Sequence, residues 1–137
     1  HLKMNCMYKK VMVIDDNDMD LYVSKRVIEK GAFAEEVMLM ESAKEAIAYF
    51  EENASDPERL PSLIFLDINM PEMNGFEFLE AYNNLPETVK QNCIILMLTT
   101  SVHNEDKDKA DRNPYVRNFL NKPLSIDKLK SLDDFLP

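Results

Sequence analysis

Glycine is nearly absent from this 137-residue chain; only Gly31 and Gly75 occur. Two widely separated glycines cannot form the Gly-rich phosphate cradle of a Walker-A loop or a dinucleotide-binding turn, so both are excluded. Basic residues are also scarce, with 16 Lys and Arg against 25 Asp and Glu and a net charge of −9. Clustered cations are what meet nucleic-acid phosphates or an anionic membrane surface, so neither direct nucleic-acid binding nor a membrane partner is expected. The two cysteines, Cys6 and Cys93, make no disulfide framework and stand in no Cys/His ligand spacing. Cys93 opens an apolar run and reads as a small core residue, whereas Cys6 lies in an N-terminal segment that reads as disordered. No apolar run approaches the roughly 18–20 residues that span a bilayer. The start, His1-Leu2-Lys3-Met4, lacks the charged-then-apolar pattern of a secretory signal. His1 to Lys3 reads as an appended remnant ahead of a native Met4, residues 1–8 as an N-terminal extension, and the location as cytoplasmic.

What is present suffices for one core: 45% of residues are hydrophobic, over a length near that of one domain. No linker or internal repeat divides the chain. Val11-Met12-Val13-Ile14, Leu63-Ile64-Phe65-Leu66 and Ile94-Ile95-Leu96-Met97-Leu98 are continuously apolar. Short runs without alternation predict strands covered on both faces, as in a parallel sheet. Residues 37–40 and 116–120 are weaker strand candidates.

Helix-period segments lie between the runs. Leu21, Val27 and Ile28 share one helical face that stops near Gly31, a C-terminal cap by its residue type. Ser42-Ala43-Lys44-Glu45 reads as a capping box ahead of Ala46, Ile47 and Phe50. Phe76, Leu79 and Tyr82 form a third stripe, residues 104–111 a polar helix ended by Asn113-Pro114, and Ser125 caps a last helix carrying Leu129, Leu132 and Phe135. Five strand–helix units predict an α/β doubly wound sandwich, a central five-stranded parallel sheet with helices on both faces.

In open parallel sheets, ligands bind beyond the carboxyl ends of the strands. The informative polar residues fall there: Asp15-Asp16 after the first strand, Asp67 after the third, Thr99 at the end of the fourth, Lys122 after the fifth. A lone strand-end aspartate is usually turn punctuation; the coincidence of all these ends is the signal. Carboxylates gathered at one edge repel, and a hard divalent cation such as Mg²⁺ relieves this through oxygen ligands and phosphate. The Lys122 ammonium suits carboxylate or phosphate oxygens, and Pro123 biases its backbone away from helix and admits a cis bond. Thr99 offers a hydroxyl donor to a phosphoryl oxygen. His103 has no second His or Cys nearby and reads as a solvated helix-start residue.

These residues resemble the receiver domain of two-component response regulators, over Lys9 to the C-terminus. The most specific stretch is Asp67-Ile68-Asn69-Met70-Pro71-Glu72-Met73-Asn74-Gly75, similar to the family's phosphoacceptor loop. Asp15-Asp16 resembles its acidic pair, Leu98-Thr99-Thr100-Ser101 its switch-threonine segment, and Asn121-Lys122-Pro123 its Lys-Pro turn. The resemblance implies a (βα)5 flavodoxin-like fold for residues 9–137. It implies Asp67 as acceptor of a phosphoryl group from a sensor histidine kinase or histidine phosphotransfer protein. Asp16, Asp67 and the Asn69 backbone carbonyl would bind Mg²⁺, with Asp15 acting through water. Lys122 would pair with the phosphoryl group, and Thr99 and Phe119 would switch. Asn69 and Ser101 occupy positions that, in the family it resembles, influence the rate at which the acyl phosphate hydrolyses.

Family members often carry Tyr where Phe119 stands, so a hydroxyl contact to a partner is lost here. Asn113-Pro114-Tyr115 replaces the family's small residues before the fifth strand. The expectation is a signalling domain and not an enzyme beyond its own phosphorylation and dephosphorylation. It would be a stand-alone monomer or weak dimer acting on an unidentified downstream protein. Two other readings compete. A haloacid-dehalogenase-type phosphohydrolase wants Asp-x-Asp after its first strand, where this chain has Asp15-Asp16-Asn17-Asp18 and no cap insertion. A receiver-shaped binding module without phosphorylation would have no use for the intact acids, Thr99 and Lys122.

Overall fold

The strand runs are apolar at every position because each strand feeds two cores. In the computed structural model, which describes residues 6–132, Met12, Ile14, Ile64, Leu66, Ile95 and Met97 point into one cluster. Their neighbours Val11, Val13, Leu63, Phe65, Leu96 and Leu98 point into the other. The strands are β1 (Tyr8–Ile14), β2 (Ala34–Met40), β3 (Leu63–Leu66), β4 (Ile94–Thr99) and β5 (Val116–Asn121). All pair in parallel, in the order β2-β1-β3-β4-β5. The helices are α1 (Asp18–Lys30), α2 (Ala43–Asn53), α3 (Gly75–Asn83), α4 (Glu87–Lys90), α5 (Asn104–Arg112) and α6 (Ile126–Ser131). Leu21 and Ile28 of α1, with Leu129 of α6 and Leu132 beyond it, cover the second cluster. Phe50 of α2, Phe78 and Tyr82 of α3, Val89 of α4 and Ala110 of α5 cover the first. The predicted doubly wound sandwich is the observed fold, and no described helix is long and apolar enough to cross a membrane.

Local details differ from the sequence reading. Gly31 follows α1, but with φ −79° it is not left-handed; Ala32 is, at φ 50°. The Phe33 N–H donates to Ile28 O at 3.0 Å and the Ala32 N–H to Glu29 O at 3.1 Å, a Schellman closure one residue later than the glycine implied. Burial of Phe33 with Ile28 in the second core sets that register. The Ser42 hydroxyl does accept the Glu45 N–H, but the Glu45 carboxylate accepts from Glu41 N–H instead of closing on Ser42. A reciprocal capping box forms at Asn74, with both bonds to Glu77 at 2.9 Å. Helix α4 and a 3₁₀ turn at Pro57–Arg59 are too short for hydrophobic periodicity to reveal. Ser125 caps α6 as predicted, while Phe135 lies outside the described residues. Cys93 is a partly buried core residue whose thiol donates to Pro61 O, and burial pushes that thiol up to about 12.

Candidate functional site

Backbone pairing carries each polar residue one step past its strand. The Asp15 N–H donates to Met40 O, the Asp67 N–H to Ile14 O and the Lys122 N–H to Thr99 O, at 2.9–3.0 Å. The residues therefore stand in a row on the carboxyl edge of the sheet. Strand β1 lies between β2 and β3, so the crevice at Asp15 and Asp67 is the switch point in strand order, where such sheets bind ligands.

Lys122 Nζ lies 2.6 Å from Asp15 Oδ2, 2.8 Å from Asp20 Oδ2 and 3.3 Å from Asp67 Oδ2. Its side chain is only 8% exposed. The other Asp15 oxygen accepts the Asn17 N–H at 2.9 Å. Burial raises Asp15 above the usual carboxylate range, and the charge of Asp67 adds to it, against Lys122 and the Asn17 N–H. Burial by itself would lower Lys122, but bonds to Asp15 and Asp20 and the charges of Asp67 and Asp15 outweigh it, leaving the ammonium firmly protonated. Asp15, Asp16 and Asp67 each offer an oxygen within 4.8 Å of the others, the one group of acids among the described residues that could hold a metal ion. An all-carboxylate donor set suits a hard divalent cation.

The loop after Asp67 is tightly held. Ile68 and Met70 are buried on either side of exposed Asn69. The Gly75 N–H donates to Ile68 O at 2.8 Å, and a Cβ on Gly75 would stand 2.5 Å from Asp67 O. Gly75 is thus required by close approach of α3 to the end of β3, since its φ is not positive. The left-handed residue is Glu72, φ 67°, whose carboxylate pairs with Lys44 of α2 at 3.1 Å.

Thr99 and Phe119 are not joined to this cluster. The Thr99 hydroxyl accepts the Ser101 N–H at 3.1 Å, and the Ser101 hydroxyl donates to Asp106 of α5. Phe119 packs on the first core and, with Ser101, Val102, His103 and Asn121, lines an open recess of ≈ 250 Å³. His103 is exposed and precedes α5, as expected. A separate recess, ≈ 520 Å³, lies at the opposite edge of the sheet between Lys9, Lys10, Glu35 and Glu58. Sequence reasoning missed Asp20. Its signal was the density of acids in Asp15-Asp16-Asn17-Asp18-Met19-Asp20, which reads locally as helix-start charge.

The family model of the response regulator receiver domain matches residues 11–132. A two-component response regulator from Cytophaga hutchinsonii superposes with a TM-score of 0.84 at 29% identity, covering 93% of this chain and 95% of that one. The response regulator Rcp1 of Synechocystis is 25% identical over 88% of this chain and 81% of its own length. Hybrid signal transduction histidine kinase C of Dictyostelium discoideum is 28% identical over 84% of this chain, which corresponds to 9% of its length.

Proposed function

This chain belongs to the response regulator receiver domain family of two-component signalling, and we propose that Asp67 is its phosphoacceptor, charged by a histidine kinase or histidine phosphotransfer protein. An Asp67 oxygen attacks phosphorus in line. The bond from phosphorus to the donor's imidazole nitrogen breaks, and its electron pair stays on that nitrogen. The product is an acyl phosphate, which water later returns to carboxylate and inorganic phosphate. The observation that carries this reading is the convergence of Asp15, Asp16 and Asp67 at the strand-order switch point, with Lys122 paired to Asp15 and Asp67.

Mg²⁺ fits the hard-oxygen donor set. Asp16, Asp67 and the Asn69 carbonyl would hold it directly and Asp15 through water. When bound it supplies neutralisation of the phosphoryl oxygens. Lys122 supplies a second positive charge, and its buried, carboxylate-bound ammonium is already at the acceptor. The added phosphoryl charge then draws the Thr99 hydroxyl away from Ser101, and Phe119 moves into the vacated space. Contacts made only in that arrangement stabilise it, which is a population shift. The chemistry is confined to the domain's own phosphorylation and dephosphorylation. Residues 9–137 would make up the receiver unit, though β1 already begins at Tyr8 inside the expected N-terminal extension; a cytoplasmic location belongs to the same reading, and the output would pass through a protein partner from a monomer or weak dimer.

Acetyl phosphate with Mg²⁺, followed by intact mass, tests the assignment. One added phosphoryl group is expected, lost in Asp67→Asn and without metal. Uptake that persists in Asp67→Asn overturns it.

A further inference from the structure

Asp20 binds the same ammonium as the phosphoacceptor, and the reading above leaves it without a task. Lys122 has three N–H donors, and three carboxylates surround it: Asp15, Asp20 and Asp67. A phosphoryl oxygen can reach that ammonium only if one carboxylate gives way. Asp15 is buried, and removing its cation would leave an uncompensated charge in the interior. Asp67 would carry the phosphoryl group itself and so stays beside Lys122. Asp20 differs from both because its side chain is 37% exposed, so water can replace the ammonium at small cost. Its position is also set by a rigid element. The Asp20 N–H donates to the Asn17 side chain at 2.9 Å, the N-cap of α1, so the carboxylate is presented from a capped first turn.

We propose that Asp20 is a positioning residue that holds Lys122 at the site mouth in the resting state and competes with the phosphoryl group for it. This rests on the assignment of Asp67 as phosphoacceptor. Removing the Asp20 charge frees one ammonium donor in advance and tightens binding of a phosphoryl group or its mimic. Asp20 then biases the protein toward rest and shortens the time that Lys122 spends on the phosphoryl oxygens.

Beryllium fluoride with Mg²⁺ serves as the phosphoryl mimic, and the Lys122 side-chain ammonium resonance, recorded with no mimic added, reports the ion pair directly. Asp20→Asn should bind the mimic about two- to fivefold more tightly, the range expected for a partly exposed pair. It should also shift the Lys122 resonance and speed its exchange with water. Asp20→Glu should restore both toward wild type. Asp18→Asn lies in the same first turn with no contact to Lys122, and should leave both unchanged. Equal affinity in wild type and Asp20→Asn, an unmoved Lys122 resonance, or an equal gain in Asp18→Asn overturns the role of Asp20. Wild-type protein that binds no beryllium fluoride overturns instead the assignment of Asp67, and the competition with it.

Discussion

At the ends of β1 and β3, Asp15 and Asp67 are buried and share Lys122 at 2.6 and 3.3 Å. The loop after β3 is tied to α3 through Gly75. At the end of β4 the chain is held differently. Val102 is 86% exposed, and the segment is anchored mainly by the Thr99–Ser101–Asp106 hydrogen bonds. The first region is preorganised: its like charges are already forced together, and one cation holds them. In the second, Thr99 and Ser101 are buried but Thr100, Val102 and His103 are exposed, so fewer side chains must be moved out of the core when the segment rearranges. Under the proposed function, recognition would sit in the rigid half and response in the loose half, so that a charge change at Asp67 would be read without disturbing the sheet.

The sharpest way to break this contrast is Lys122→Ala. It leaves Asp15 and Asp67 buried without their cation and should cost about 3 kcal/mol at neutral pH. Urea unfolding would measure it, and added Mg²⁺ should recover more stability in the variant than in wild type. The Lys122 contribution should persist up to its unfolded value of 10.5, because its folded value lies higher still. Gly75→Ala attacks the rigid half by sterics. With a Cβ 2.5 Å from Asp67 O, backbone must move, costing about 1–3 kcal/mol and lowering phosphoryl uptake together.

Asp15→Asn gives a smaller effect of opposite sign. Because Asp15 is held above its ordinary 3.8, the folded state binds the proton more tightly than the unfolded state. Stability therefore falls as pH rises from that value through the folded one. The variant should be more stable than wild type at neutral pH and lose the advantage below about pH 3.8, by unfolding at both pH values. Thr99→Ala should change stability least, by about 1 kcal/mol for one hydrogen bond. Phosphoryl uptake should survive while the amide shifts at residues 100–106 on beryllium fluoride binding shrink. Equal loss of uptake in Thr99→Ala and Lys122→Ala would erase the distinction between the halves.

The strands were readable because a strand buried on both faces must be apolar throughout, as Leu63 to Leu66 are. Asp15, Asp16, Asp67, Thr99 and Lys122 were readable because topology places every strand end on one edge. Asp20 was not, since its partner Lys122 is 102 residues away and its acid looks like ordinary helix-start charge. The Schellman closure at Ala32 was also hidden: residue type favours Gly31, but Phe33 must reach the core beside Ile28, and that packing chose the later residue. The need for Gly75 was equally local in appearance and tertiary in cause.

The order of apolar runs and polar strand ends, with two glycines and an acid excess, determined by itself a parallel α/β sheet and the polar residues at its edge. Periodicity and topology depend only on which residues follow one another. Tertiary structure alone decided which carboxylates share the one ammonium, how deeply each is buried, and which half of the edge is rigid. Those depend on distances between residues that the chain keeps far apart, and on the water that folding removes from between them.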